Sequence, residues 1–144
     1  MSLDDASKKM SKSNPNPGSA IYLLDPPDVI RKKISRATTD SGREVKFDPA
    51  NKPEVSNLIT IYSQCSGLSV AEVEQRYEGQ MYGPFKKDLA EVVVGELEPI
   101  QQRYREIRES GEIRNILRQG AERASVMAEQ TLQDVQKMMG FLPQ

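Results

Sequence analysis

Lys9 and Lys12 stand three residues apart in the run Lys9-Met10-Ser11-Lys12-Ser13, which continues through Asn14, Pro15, Asn16, Pro17 and Gly18. Two ammonium groups at this spacing can stabilise negative charge that grows on phosphate oxygens in a transition state. Ser11 and Ser13 add hydroxyl donors. The prolines and glycine that follow forbid a regular helix, so the segment reads as a flexible loop. A loop can close over a triphosphate and then release product. The same residues also fit a solvated tail, and the choice between the two depends on what the rest of the chain supplies.

The most restrictive count is that of histidine, which is zero. It removes a histidine general base, a Ser-His or Cys-His nucleophile pair and any histidine-containing zinc site. A single cysteine, Cys65, excludes an internal disulfide and thiolate clusters, and it fits a reducing, cytoplasmic setting. No metal site is expected, and any chemistry must rest on lysine, carboxylate, hydroxyl or backbone groups. With 20 basic and 21 acidic residues the net charge is −1, so attachment to nucleic acid by overall charge is excluded while a local basic face is not. No apolar run approaches the roughly 18 residues of a membrane span, and no secretory signal pattern opens the chain.

The elements that must position the loop read as helices. Ala20–Leu24 is apolar and short, as for a brief strand. Asp25 before Pro26 and Pro27 reads as an N-cap with prolines in the first turn. The helix they open carries Val29, Ile30, Ile34 and Ala37 on one face and Arg31, Lys32, Lys33 and Arg36 on the rest. Asp40-Ser41-Gly42 reads as a turn, and Glu44–Phe47 as a short extended piece. From Pro53 the apolar positions step by three and four through Val55, Leu58, Ile59, Tyr62 and Cys65, and Gly67 stops the run. Ser69 and Glu72 form a capping box for a short helix ending near Gly79. Pro84 opens a helix to about Glu109 with a stripe through Phe85, Leu89, Val93, Leu97, Ile100, Tyr104 and Ile107. Pro99 crowds the carbonyl of Gly95 and predicts a kink, not a stop. A last helix follows Gly111, with Gly120 as a possible interruption and Ala121, Ala124 and Ala128 as a face for close helix approach. The fold class is therefore all-α, an antiparallel helical bundle with a short extended segment and a flexible N-terminal loop.

The runs KKMSKSNPNP, IYLLDPPDVIRKKISRATTDS, NKPEVSNLITIYSQCSG, YEGQMYGPFKKDLAEVVV and GAERASVMAEQTL resemble, in order and over nearly the whole chain, the C-terminal half of bacterial tryptophanyl-tRNA synthetases. The KMSKS run alone marks only class I aminoacyl-tRNA synthetases, and the other segments carry the narrower likeness. The resemblance implies that the loop binds ATP, with its Mg2+, and stabilises the pyrophosphate leaving group as tryptophan becomes its adenylate. Lys12 would contact the phosphates most directly and Lys9 would support it, while Met10, Ser11 and Ser13 would hold the loop's conformation. It further implies transfer to tRNA(Trp), a cytoplasmic homodimer and helices that contact the anticodon end. By the same likeness, residues 1–20 would close a catalytic domain, 21–52 would connect with a basic helix, and 53–144 would form the tRNA-binding domain. No nucleotide-binding α/β domain precedes the loop here. The chain is therefore expected to be a fragment that neither activates nor binds tryptophan, with residues 1–18 mobile and part of the helical surface unusually apolar.

Other features have plainer readings beside the functional ones. Arg31, Lys32, Lys33 and Arg36 form either a solvated face or a phosphate-contacting one. Tyr77, Tyr82, Phe85, Lys86 and Lys87 could contact RNA, but helical spacing assigns Tyr77 and Phe85 to the core and leaves Tyr82 and Lys86 as the candidates. Cys65 reads as a small buried hydrophobe, the Met138-Met139 pair as packing, and the scattered glutamates of the long helix as solvated. The rival functions are a free-standing helical RNA-binding module and an interaction protein with no catalytic role.

Overall fold

The structure, a computed structural model, describes residues 1–141. Among them are a 3-10 turn, Pro17–Ser19, and five α-helices: α1 Pro27–Arg36, α2 Pro53–Ser66, α3 Val70–Arg76, α4 Tyr82–Glu109 and α5 Glu112–Met138. No strand occurs among these residues, so the all-α reading holds. The residues divide into two compact units, Met1–Gln101 and a second beginning at Gln102.

In the first unit the amphipathic spacing of each helix delivers one core. Ile30 and Ile34 of α1, Val55, Leu58, Ile59 and Tyr62 of α2, Val73 of α3, and Phe85, Leu89 and Val93 of α4 are all at most 4% exposed. Each such side chain contributes about 1.5–3 kcal/mol by leaving water. Tyr62 stacks on Phe85 with ring centres 6.0 Å apart, and Tyr77 meets Phe85 edge-on at 5.1 Å. The two buried hydroxyls need polar partners. Tyr62 donates to Asp88 Oδ2 at 3.0 Å, Tyr77 donates to the same oxygen, and Arg76 lies 3.2 Å from it. Hydrogen bonding by Tyr77 therefore holds Asp88 below the usual carboxylate range, while burial pushes both phenols up.

Local signals set several boundaries as read. Gly67 ends α2 with φ 75°, a left-handed conformation that a Cβ disfavours. Ser69 and Glu72 form the reciprocal capping box, Ser69 N–H to Glu72 Oε2 at 2.8 Å and Glu72 N–H to Ser69 Oγ at 3.3 Å. The long helix runs unbroken through Pro99. Gly95 and Pro99 are both exposed, so water can take the carbonyl that proline leaves without an amide partner.

Other expectations need correction. Ala20–Leu24 is not a strand; it turns, with Asp25 N–H donating to Tyr22 O at 3.0 Å and Tyr22 N–H to Asp25 Oδ2 at 2.9 Å. That use of its carboxylate takes Asp25 away from capping, and the N-cap of α1 is Pro26 with no side-chain bond. The reading of Glu44–Phe47 as a short extended piece needs no such correction: it lies in no helix or turn and in no ladder, Val45 is buried, and the Phe47 amide donates to Glu74 Oε1 at 2.7 Å. Helix α4 begins at Tyr82, two residues before Pro84. Cys65 is only half-buried, and burial pushes its thiol up. The apolar stripe of α4 leaves the core after Leu97, which is partly buried against it: Ile100 and Tyr104 are exposed and Gln101 is buried instead.

The second unit contains the rest of α4 and α5. Helix α5 continues through Gly120 and buries none of its residues. Ile116, Leu117, Val126, Met127, Leu132, Met138 and Met139 are all exposed, as the expectation of an unusually apolar helical surface required. Ala121, Ala124 and Ala128 are exposed as well.

Candidate functional site

The loop from Asp4 to Gly18 is organised by its own short polar side chains. Asp5 accepts from the Ser7 amide and hydroxyl at 3.0 and 2.6 Å and pairs with Lys8 at 2.8 Å. The Lys8 hydrogen bond is the main cause that lowers the Asp5 carboxyl to about 2. Ser11 Oγ accepts from the Ser13 amide at 3.2 Å, Asn14 Oδ1 from the Asn16 amide at 2.9 Å, and Asn16 Oδ1 from the Gly18 amide at 3.0 Å. Asn16 Nδ2 reaches back to Asp4 at 2.7 Å, which ties the two sides of the loop together. Met10 packs partly against the core. Lys9, Ser11, Lys12 and Ser13 are exposed, and the Lys9 and Lys12 ammonium groups have no hydrogen-bond or ion-pair partner among the described residues.

Both ends of this loop are fastened to the helices, contrary to the expectation that residues 1–18 are mobile throughout. Ser2 and Leu3 are 2% and 3% exposed. The Leu3 amide donates to Ser19 O at 2.8 Å, Ser2 Oγ to Ser19 O at 2.9 Å, and the Thr38 amide to Leu3 O at 2.8 Å. Asn57 of α2 donates to Met1 O and Ser2 O at 3.3 and 3.0 Å and accepts from the Met1 nitrogen at 2.8 Å. On the exit side Lys33 donates to Ala20 O at 2.9 Å and Gln101 to Leu23 O and Asp25 O, each at 2.9 Å.

The basic candidates separate by what they already hold. Arg31 forms a two-pronged bond to Glu91 at 2.8 and 2.9 Å, with both partners about half exposed. Lys33 is nearly buried, paired with Asp25 at 2.6 Å and 4.5 Å above the Tyr22 ring. Lys86 donates to Ala37 O at 2.7 Å, closing the C-terminus of α1, and burial pushes its ammonium down. Lys32, Arg36 and Lys87 are exposed and have no such partner among the described residues. Arg31, Lys32, Ser35, Lys86 and Lys87 border a cleft of about 490 Å3 between α1 and α4.

Tyr82, the surface-contact candidate, has its hydroxyl committed inward. It donates to Asp40 Oδ1 at 2.7 Å and receives Lys52 Nζ at 3.3 Å. Gly42 makes the turn possible: its amide reaches Asp40 Oδ1 at 2.6 Å, and a Cβ there would come within 2.7 Å of that oxygen. Burial raises the Asp40 carboxyl, but the Tyr82 bond, the Gly42 amide and Lys52 outweigh it and leave the group below its ordinary range. Asn57 and Gln101 escaped the sequence reading. Gln101 is a polar residue at an apolar-stripe register, eight residues after Val93, which is the signal that could have found it, whereas Asn57 lies off the apolar stripe of α2 and carries no such signal.

The arrangement offers exposed cations and hydroxyls on a loop with fixed ends, a donor set suited to an anion. Among the described residues no cluster of three histidine, cysteine or acidic side chains could hold a metal ion. No described helix is long and apolar enough to cross a membrane.

Residues 1–98 match the family model described as tRNA synthetases class I (W and Y), and the chain belongs to that family. The resemblance to the tryptophan enzymes is supported in particular. The chain is 54% identical over 141 residues to the tryptophan–tRNA ligases of Halalkalibacterium halodurans and Bacillus subtilis. These alignments cover 98% of this chain and 43% of each relative, so the chain spans under half the length of the ligases it matches. The crystal structure of the Mycoplasma pneumoniae tryptophanyl-tRNA synthetase superposes with a TM-score of 0.71 at 34% identity, over 99% of this chain and 43% of that one.

Proposed function

We propose that this chain supplies a tryptophan–tRNA ligase with its phosphate-stabilising loop and part of its tRNA-binding surface. The observation that carries the reading is the pair Lys9 and Lys12, exposed and unpaired on a loop with both ends held, in a chain of this family. In the reaction the tryptophan carboxylate attacks the α-phosphorus of ATP and pyrophosphate leaves. Lys12 neutralises the charge growing on the leaving oxygens, Lys9 adds a second cation, and Ser11 and Ser13 set the turn between them. Mg2+ would arrive as part of the ATP substrate and would supply shielding of the same phosphates. Tryptophan is bound outside this chain, so the chain alone is inactive. The working enzyme is a cytoplasmic homodimer.

The test is a hybrid in which this chain replaces the matching portion of the Bacillus subtilis ligase. The hybrid is expected to show tryptophan-dependent ATP–pyrophosphate exchange and to charge tRNA(Trp), and the 144-residue chain alone to show neither. Exchange by the chain alone, or an inert but folded hybrid, would refute the reading.

For tRNA, the exposed cations of α1 and α4 support contact with backbone phosphates. Lys32, Arg36 and Lys87 are free to make it, whereas Lys33, Lys86 and Tyr82 act by holding the scaffold. Reversing Lys32 and Arg36 to glutamate is expected to flatten the log–log salt dependence of tRNA binding by about one unit per lost phosphate contact. Filter binding across a salt series measures it, and an unchanged slope would assign α1 to solvent.

A further inference from the structure

We propose that Asn57 is a positioning residue for the Lys9–Lys12 loop, a role that rests on the reading of that loop as the ATP-contacting one. Asn57 is 8% exposed and lies on α2, 45 residues beyond Lys12 in sequence. Its amide spends all its useful capacity on one stretch of backbone. Two donations go to Met1 O and Ser2 O, and its oxygen receives the Met1 terminal nitrogen. That stretch is the entry side of the loop: the Ser2 amide donates to Lys8 O at 2.7 Å, immediately before Lys9, and the Leu3 amide crosses to Ser19 O.

The fastening is specific in kind. A merely buried asparagine would be satisfied by its own helix or a neighbour. Here one side chain brackets consecutive peptide groups, as a strand partner would, and no strand occurs among the described residues. The loop itself holds few core contacts, chiefly Leu3 and Met10. Its geometry is therefore set by the ends, and small displacements of catalytic groups carry large rate penalties. Releasing Asn57 loosens the entry end, which then rests on the Leu3–Ser19 and Thr38–Leu3 bonds, while Lys33 and Gln101 still hold the exit.

Two measurements test this. In the chain itself, Asn57→Ala is expected to speed hydrogen exchange at the Ser2, Leu3 and Thr38 amides about tenfold or more, with the α3 and α4 core amides unchanged. In the hybrid enzyme, Asn57→Ala is expected to lower kcat/KM for ATP about tenfold while KM for tryptophan stays within about twofold. Asn57→Asp keeps the shape and the acceptor for the Met1 nitrogen but loses both donations and turns a carboxylate toward the Met1 and Ser2 carbonyls; it should speed exchange at the Ser2 and Leu3 amides as well, and it serves alone if the alanine variant fails to fold. Unchanged exchange at the loop ends overturns the clamp. Faster exchange with kcat/KM for ATP within about twofold, or an equal loss toward both substrates, overturns the positioning role. A hybrid with native Asn57 that is folded but inert removes the synthetase reading and this role with it, while leaving the exchange result as measured.

Discussion

Replacing Lys12 by alanine in the hybrid enzyme lowers the rate of tryptophan-dependent ATP–pyrophosphate exchange about 100- to 1,000-fold, the range for removing one preorganised donor from a developing oxyanion. The expectation follows from where the side chain stands. Lys12 is exposed and has no ion-pair or hydrogen-bond partner among the described residues, so its charge is available to a ligand. For the same reason its loss should not move the melting temperature, which separates a catalytic effect from an unfolding one. Lys12→Arg restores charge with a planar fork in place of a compact ammonium, and should recover only part of the rate. Lys9→Ala should cost less, because the role proposed for Lys9 is that of a second, supporting cation. A Lys12→Ala rate within about threefold of the parent would refute the assignment.

The largest loss of stability is expected from Phe85→Ala. Phe85 is fully buried, sandwiched between Tyr62 and Tyr77 within 6.0 Å of each ring centre. Truncation removes the transfer energy of the ring and leaves a cavity, about 3–5 kcal/mol, and it breaks two aromatic contacts. Domains of this size are stable by only about 5–15 kcal/mol, so the substitution takes from about a fifth of the margin to all of it. Refilling by the neighbours is limited, because both tyrosine hydroxyls are anchored on Asp88. Urea denaturation of the chain, followed by helix signal, measures the effect; a midpoint change equivalent to less than about 1 kcal/mol would mean that the core is not packed as described. The loop should feel it only through its fastened ends.

Helices were legible wherever one face had to be apolar and a local group could end the run. Gly67 and the Ser69–Glu72 box worked because both act within four residues of backbone. Asp25 failed as a cap because two competing donors, the Tyr22 amide and Lys33, reach it once the chain has turned. Ala20–Leu24 failed as a strand for a related reason: a short apolar run does not say whether a partner strand exists, and here the run turns instead. The basic helix was visible as a pattern, but not the division between Lys33, spent on Asp25, and Lys32 and Arg36, which face solvent.

By itself the sequence determined the chemistry available to this protein. With no histidine, two lysines on a Pro- and Gly-broken loop and amphipathic helices behind them, it left lysine, carboxylate, hydroxyl and backbone groups as the means for any chemistry. Only the tertiary structure decided which of those charges are free and what holds the loop, because both depend on pairings such as Asn57 with Met1 and Ser2, and Gln101 with Leu23 and Asp25. Periodicity reports which face a residue occupies within a few turns of its own helix. A hydrogen bond between groups more than fifty residues apart exists only after the core has packed and brought the two backbones together.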